Sequence, residues 1–575
     1  MKKLLICLLG ISLLLTACAP AAKPKETYNG LEATASPTQP AQLPENLVDI
    51  RLEGESITVS GAASQEDGAV FISRDIVYYE EKTHYKSGNP YGEGETSDMH
   101  SVEEAAAHLV VNITRPGSYR LRGNLDLGQI RVDLGEDAKD DPAAVVNLIL
   151  DGVKIRCTVA PAIVFLNVYE CDGDRTEKNA TPDVDTSDAG ANLFLTEGSE
   201  NTVSGSYVAK IYKDKDGEKK LWKQDGAVYS YMSMNVYGPG GLNIIAENEG
   251  LDTEMHLTIH GGDIRIQSGN DGINTNEDGI SVTTILGGSL HITAGLGEEG
   301  DGIDSNGYLV IRGGTVISSA HPASDAGLDS DLGSFIHGGT VIALGSAMDW
   351  AESDSEQVTM NLQFADHQTA GSSVVITRDN GEVLFAYAPK LDEALGENLR
   401  AFSGAVISCP GIAVGDSCRV ILGAEIEGTQ NLGIFDPAAV KELHGGLLQA
   451  YTGTDVMRGP GGFDPFDGQQ RPQDDREDPG DRGDRELPEG FTMPQEGMEP
   501  PQGMQDHFTE QAPEGMEAPP DGQRPEGPPQ GDFFQGQMPP EGLARGEANT
   551  IFYLQDMVNF FSGLIPAQTV SASDE

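Results

Sequence analysis

The sequence predicts an all-β protein built around a parallel β-helix, in which each turn of the chain adds one coil to a stack. A Gly-Gly doublet recurs with its second glycine at Gly262, Gly288, Gly314 and Gly339, at steps of 26, 26 and 25 residues. Each repeat holds two short runs in which apolar and polar residues alternate. This period is too short for a propeller blade and lacks helical spacing, and the spaced leucines of leucine-rich repeats are absent. One coil per repeat is the arrangement that fits.

The first residues are typical of an exported lipoprotein. Lys2 and Lys3 precede an apolar run that ends in Leu-Thr-Ala-Cys at residues 15–18. We therefore predict a signal peptide over 1–17, lipid on Cys18 and a flexible tether over 18–47. No later apolar run is long enough to span a bilayer, so the expected location is the extracellular face of the cell membrane, with the lipid as anchor.

Four cysteines remain after the lipid-modified one, and they form two local pairs in the sequence: Cys157 with Cys171, and Cys409 with Cys418. In an exported chain these pairs are candidates for disulfides. Zinc binding is disfavoured because no histidine lies at zinc-ligand spacing beside them.

Composition divides the rest of the chain. Residues 48–457 are punctuated by glycine and strand-like, with a C-terminal β part at about 346–457 that caps the β-helix. Residues 458–546 are dominated by Gly, Pro, Glu, Gln and Met, and we predict that they are disordered. The final segment, 547–575, contains a short apolar run that is expected to dock on the body.

The charge of the chain excludes one class of partner. It has 37 basic and 91 acidic residues, which gives a net charge of −54. Nucleic acid is therefore excluded, and a polyanion would need cations that screen or bridge the repulsion.

A second repeated phrase places acidic residues beside a glycine turn. It reads EGLDTE, DGINTN, DGIDSN and AGLDSD in successive repeats. Alternation directs the apolar member inward and its neighbour outward. The expected inward column is Leu251, Ile273, Ile303 and Leu328, and a second column is Thr253, Thr275, Ser305 and Ser330.

Acidic residues stacked at strand spacing repel one another, and a hard cation removes that conflict. Calcium takes six to eight oxygen ligands in flexible geometry, which such a ladder offers. The alternative is that Asp-Gly forms a turn and the carboxylates are solvated. The predicted calcium ligands are Glu249, Asp252, Asp271, Asn274, Asp301, Asp304, Asp325 and Asp329.

From about residue 50 to 345, the chain resembles bacterial carbohydrate-binding β-helix proteins. The phrases that carry the resemblance include PGSYRLRGNLDLGQIRVDL, VNLILDGVKI, NLFLTEGSENTVSG and the four glycine turns above. The resemblance implies a right-handed parallel β-helix, bound calcium, and binding of plant-wall polysaccharide such as cellulose or acidic pectin. Asn274 departs from the acidic pattern of its neighbours, which weakens one cation site.

Three functions fit this pattern: a polysaccharide-binding protein, a calcium-dependent lyase of the pectate-lyase type, and a surface scaffold. A lyase needs a base close to the metal, and no lysine lies between Lys223 and Lys390. We therefore predict a monomeric polysaccharide-binding protein without catalytic residues. The candidate ligand-binding residues are Arg265, Arg312, Asn276, Asn306 and Asp331.

Overall fold

The computed structural model describes residues 47–61, 68–80, 94–212, 220–389, 400–453 and 549–569. The predicted signal peptide, Cys18, most of the tether and the predicted disordered segment lie outside these ranges. Within them the protein is all-β with large, mostly parallel sheets, as predicted. None of the helices in these ranges has the length and apolar character needed to cross a membrane.

The N-terminal part contains twelve strands and one short α-helix, α1 (Val102–Ala107), which Ser101 caps by accepting a hydrogen bond from the backbone N–H of Glu104. Short 3-10 helices span Thr96–Asp98, Glu136–Asp140 and, later in the chain, Pro437–Ala439. The strands are β1 (Val48–Gly54), β2 (Ile57–Gly61), β3 (Val70–Ser73), β4 (Leu109–Ile113), β5 (Gly117–Leu125), β6 (Gly128–Asp133), β7 (Val146–Arg156), β8 (Ile163–Asn167), β9 (Ala191–Leu195), β10 (Glu200–Gly205), β11 (Val208–Tyr212) and β12 (Lys220–Gln224).

The repeats form three parallel ladders. From β13 to β21, each strand pairs in parallel with the strand three places later in the chain, so successive repeats stack on one another. The strands are β13 (Gly226–Ser230), β14 (Met234–Tyr237), β15 (Gly241–Ala246), β16 (Glu249–Thr253), β17 (Leu257–Ile259), β18 (Asp263–Ser268), β19 (Ile273–Thr275), β20 (Val282–Ile285), β21 (Ser289–Thr293), β22 (Ile303–Ser305), β23 (Tyr308–Ile311), β24 (Thr315–Ser319), β25 (Gly333–Ile336) and β26 (Thr340–Gly345).

The strand register confirms the predicted inward columns. Leu251 pairs with Ile273 and Ile273 with Ile303, and all three side chains are fully buried. Next to them Thr275 Oγ1 donates a hydrogen bond of 2.8 Å to Ser305 Oγ. The apolar column fills the interior, while the hydroxyl column satisfies its own polar groups.

Two glycine positions explain why both repeated phrases need glycine. The second glycine of each doublet has a positive φ, 83° at Gly288 and 82° at Gly314, a region that L side chains rarely adopt. The glycine after each acidic residue lies against the next coil instead. A Cβ on Gly302 would come within 2.5 Å of the carbonyl oxygen of Gly327, and one on Gly272 within 2.5 Å of that of Gly302.

The C-terminal part is a set of mostly antiparallel strands with its own apolar core, which includes Phe385, Phe402 and Phe552. It joins the repeats through β26, which pairs antiparallel with β30. The strands are β27 (Thr359–Gln368), β28 (Val374–Arg378), β29 (Val383–Tyr387), β30 (Phe402–Ser408), β31 (Ser417–Leu422), β32 (Glu425–Glu427), β33 (Gln430–Asn431), β34 (Ile434–Phe435), β35 (Glu442–His444), β36 (Leu447–Ala450), β37 (Phe552–Tyr553) and β38 (Val558–Thr569).

The final strand lies on the body, where the sequence predicted docking. Strand β38 pairs in parallel with β27 and antiparallel with β36. Phe561 and Leu564 of this strand are buried in the C-terminal core.

The structure holds all four cysteines of the two candidate disulfides as free thiols. Cys157 packs in the core of the repeats, and Cys409 and Cys418 in the C-terminal core, whereas Cys171 is only half-buried. Burial raises the pKa of all four thiols to about 12, so each stays protonated at neutral pH. Proximity in sequence was therefore a poor guide to bonding.

Candidate functional site

Three buried carboxylates meet where β13 and β16 begin. Each of Asp225, Glu249 and Asp252 offers an oxygen that lies within 4.8 Å of the others. Strand pairing explains the convergence, because Gly226 lies beside Glu249 and the backbone N–H of Asp225 donates to Asp252 Oδ2 at 3.3 Å. We call these three residues the first carboxylate cluster.

Two buried oxygens at this cluster have no hydrogen-bond partner within the part of the chain that the structure describes. They are Oε2 of Glu249 and Oδ1 of Asn274, whose amide donates to the other oxygen of Glu249 at 3.3 Å. An unsatisfied buried acceptor costs about 1–3 kcal/mol, and more for a charged group. An all-oxygen set with open lone pairs suits a hard cation such as calcium.

One ammonium group already contacts the first carboxylate cluster. Lys223 Nζ forms an ion pair with Asp225. Burial alone would lower the pKa of Lys223, but the carboxylates of Asp225, Glu249 and Asp252 outweigh it and raise that pKa. One ammonium against three ionised carboxylates leaves two negative charges, which a single divalent cation would balance.

Burial is the main cause that raises the pKa of Glu249 and of Asp252 well above the ordinary values. Repulsion from the neighbouring carboxylates adds to it, most strongly from Asp225 on Glu249 and from Glu249 on Asp252. Burial and mutual repulsion thus favour the protonated forms of these groups, and the positive charge of a cation would favour their ionised forms.

A second group of carboxylates lies further along the same ladder, and we call it the second carboxylate cluster: Asp271, Asp301, Asp304, Asp325 and Asp329. Backbone N–H groups hold three of its members in place. The N–H of Asp301 donates to Asp271 Oδ1 at 2.6 Å, that of Ala326 to Asp301 Oδ1 at 2.5 Å, and that of Gly300 to Asp325 Oδ2 at 2.9 Å. The acidic turns are thus tied to one another from coil to coil.

Electrostatic coupling runs through the second carboxylate cluster. Burial followed by the charge of Asp329 raises the pKa of Asp301 to about 7. The same two causes raise the pKa of Asp304 well above its usual range. Burial, Asp304 and Asp301 do the same for Asp271. This coupled set of oxygens is a second place at which a cation would relieve repulsion.

The ladder is less exposed than the sequence suggested, and this corrects the prediction of an exterior column at its first coil. Glu249 is 3% exposed and Asp252 is fully buried. The reason is that the end of β12 brings Lys223, and the turn that follows it brings Asp225, against them. Asp304 and Asp329, further along, are half-buried.

The candidate ligand-binding residues Asn276, Asn306 and Asp331 form hydrogen bonds within the protein. The amide of Asn276 donates to Asp252 Oδ1 at 2.5 Å, and that of Asn306 to Asp278 Oδ1 at 2.8 Å. Asp331 donates its backbone N–H to the carbonyl of Ser305 at 3.0 Å. The two asparagines thus hold neighbouring coils together.

The two arginine candidates pair with acids outside both clusters. Arg265, on β18, lies 3.3 Å from Asp263 Oδ2. Arg312, just after β23, forms an ion pair with Asp183. These contacts place both arginines with carboxylates that neither cluster contains.

Sequence reasoning missed three residues of this site: Lys223, Asp225 and Asp349. Asp225-Gly226 is the same acid-glycine turn one coil earlier, and it escaped the pattern because Tyr229 stands where the later repeats have Asp or Asn. Asp349 follows the last repeat and accepts from Ser330 Oγ at 3.0 Å. Burial and the charge of Asp329 raise the pKa of Asp349 to about 7.

Residues 108–384 match the model of a family described as "Carbohydrate-binding domain-containing protein". The match favours carbohydrate binding. A protein with the same description from Acetivibrio thermocellus is 30% identical over 159 residues, which is 28% of this chain and 45% of that relative. This chain therefore spans less than half the length of the curated relative that it matches.

A solved structure, described as the polysaccharide lyase-like protein from C. thermocellum in a gadolinium derivative, is 20% identical. It covers 51% of this chain and 92% of its own, with a TM-score of 0.28. That score is too low to establish a shared fold.

Proposed function

We propose that the protein is an exported, lipid-anchored, non-catalytic protein that binds plant-wall polysaccharide through calcium on a right-handed parallel β-helix. The observation that carries the proposal is the first carboxylate cluster, with three buried carboxylates within 4.8 Å and the orphaned oxygens of Glu249 and Asn274. The match to a carbohydrate-binding family over residues 108–384 supports the ligand class.

The strand pairing supports the β-helix. Three parallel ladders in which every third strand is a neighbour are what a chain produces when it winds around one axis. Parallel crossovers are right-handed in nearly all proteins, which favours that hand here.

Calcium would allow an acidic glycan to bind this acidic chain despite their like charges. A polyuronate meets like charge on a protein of net charge −54. An ion held by Asp271, Asp301, Asp304 and Asp329 keeps coordination positions for a ligand carboxylate and so converts repulsion into bridging. Stacking of a neutral glucan on tryptophan is disfavoured, because Trp350 already packs edge-on against Phe560, with ring centroids 5.1 Å apart.

The lyase alternative needs a neutral base beside the metal. Among the described residues, Lys223 brings an amine to the first carboxylate cluster, and the carboxylates hold it as an ammonium because they raise its pKa. A lysine in that state does not abstract a proton, and this favours binding without catalysis. A surface scaffold would bind no polysaccharide at all.

Retention on immobilised polygalacturonate tests the proposal. We expect the parent protein to be retained with calcium and released by chelator. The Asp301→Ala, Asp304→Ala double variant is expected to be retained at least about tenfold less, because it loses carboxylate ligands that a bridging ion needs. The matched control is Asp137→Ala, Asp140→Ala, which removes the same charge from exposed positions outside both clusters.

If the parent and the Asp301→Ala, Asp304→Ala variant are retained equally, and chelator affects neither, the clusters only stabilise the fold. Release of unsaturated uronate ends by the parent would instead identify a lyase. Circular dichroism of each variant confirms that it is folded before retention is compared.

A further inference from the structure

A cavity of about 330 Å³ lies on another face of the repeats, over the ladder formed by β14, β17 and β20. Its roof is the segment 182–187, which we call the strap, and its opposite wall includes Thr258, Thr284 and Leu286. Ligand pockets span roughly 300–1,000 Å³, so this volume suits one small unit of a larger ligand.

The strap is fixed to the sheet by buried hydrogen bonds. Thr186 Oγ1 lies 2.7 Å from both Asn235 Oδ1 and Thr258 Oγ1, and Asn235 Nδ2 donates to the Thr186 carbonyl at 2.8 Å. At the other side of the turn, Asp185 Oδ1 accepts from the backbone N–H of Ser187 at 3.0 Å. The cavity is therefore formed in advance, which lowers the entropy cost of binding.

A ring stack leads to the cavity along the ladder. Phe194 stacks on Tyr237 with centroids 4.9 Å apart, and Tyr237 stacks on His260 at 4.2 Å. Leu286 follows in the next coil, where its N–H donates to the carbonyl of Ile259 at 2.8 Å. His260 and Leu286 both line the cavity, so one wall is largely apolar.

The charged side chains around the cavity include more carboxylates than cations. Arg312 and Asp183 form an ion pair, with side chains 37% and 80% exposed, and Asp185 adds a second carboxylate. Two carboxylates against one guanidinium leave a net negative charge, which repels a uronate. A neutral sugar offers hydroxyls that donate to carboxylates and accept from a guanidinium, and carbon faces that pack on Leu286.

We propose that this cavity is a subsite for one neutral pyranose unit of a polysaccharide, separate from the carboxylate clusters. The proposal rests on the proposed function, since it takes carbohydrate as the ligand class. It adds a second contact site with a different ligand preference. Calcium bridging would bind acidic segments of a polysaccharide, and the strap cavity would bind neutral segments.

Calorimetry on the full chain tests this with cellohexaose, xylohexaose and mannohexaose, each with and without chelator. We expect at least one to bind whether or not calcium is present. Arg312→Met is expected to weaken that binding about tenfold or more, because it removes a charged hydrogen-bond donor. The matched control is Arg419→Met, since Arg419 forms a similarly exposed ion pair with Asp379 in the C-terminal part.

The two sites are distinguished by crossing the variants. The Asp301→Ala, Asp304→Ala variant should bind the neutral hexasaccharide as the parent does, while Arg312→Met should be retained on polygalacturonate as the parent is. If the parent is not retained on polygalacturonate but still binds a neutral hexasaccharide, the bridging proposal is wrong and the subsite proposal stands.

Three results would overturn the subsite: no binding of any of the three neutral hexasaccharides, equal binding by Arg312→Met and the parent, or binding of oligogalacturonate by the parent in chelator that Arg312→Met loses. The last would show that Arg312 receives a uronate carboxylate in the parent and that the cavity belongs to the acidic class.

Discussion

Raising the pH from about 6.5 to about 8 is expected to lower the free energy of unfolding of the cation-free protein steeply, and calcium is expected to abolish the fall. The pKa of Asp301 is raised from 3.8 to about 7, and those of Glu249, Asp252, Asp271 and Asp304 are raised well above their ordinary values. In this window the unfolded chain has ionised these groups, whereas the folded chain releases the proton of Asp301 only near pH 7, and the raised pKa values of the other four delay their ionisation.

The native state therefore binds more protons than the unfolded state, and stability falls as the pH rises. Each carboxyl that stays protonated in the native state contributes a slope of about 1.4 kcal/mol per pH unit. The window begins at the ordinary pKa of histidine, 6.5, because burial lowers the pKa of His260 to about 4 and so gives an opposite slope below that point.

Urea unfolding at several pH values, with chelator and with calcium, measures this slope. Asp304→Asn should remove up to about 1.4 kcal/mol per pH unit of it, since the amide cannot ionise. Asp137→Asn, at an exposed position, should leave it unchanged. If the free energy of unfolding in chelator does not change over this window, these carboxylates do not repel one another strongly enough to require a cation.

The substitution Ile303→Asp is expected to lower the free energy of unfolding by on the order of 3 kcal/mol or more. Ile303 is fully buried in the inward column between the repeats. The change removes its packing and places a carboxylate where it has no water. Chemical unfolding at one pH, with calcium present, gives the value.

Two further variants show whether the inward column is the cause. Ile303→Val should cost about 1 kcal/mol, as deletion of a single buried methyl usually does. Ile245→Asp, on β15 with 40% exposure, should cost about 1 kcal/mol or less. If Ile303→Asp cost no more than Ile245→Asp, the column would not carry the stability that the register assigns to it.

The repeat region was predictable from sequence because its constraints are local and recur. Gly288 and Gly314 are required by positive φ, and Gly302 by the next coil, so the same letters return at the same spacing. Once the period is known, the stacking of Leu251, Ile273 and Ile303 follows. The free thiols were not predictable in this way, because bonding depends on where each sulfur lies in space.

The site was predictable only where it follows the period. Asp271, Asp301 and Asp304 repeat with the coils, and the structure brings them together. Lys223 reaches the ladder from the end of β12, and the strap crosses a face of the sheet from an insertion between β8 and β9. Such contacts join residues with no repeated spacing, so the acidic cluster was seen while its ammonium neighbour and the cavity were not.

The pairing of β38 also determines when folding of the C-terminal sheet can be completed. This strand lies between β27 and β36, yet residues 451–557 separate it from β36 along the chain. Until β38 has been synthesised, β27 presents an edge of unpaired backbone groups, which readily pairs with other chains. A chain that stopped before β38 would carry every repeat and every carboxylate described above and still expose that edge, so β38 protects the protein from edge-to-edge association.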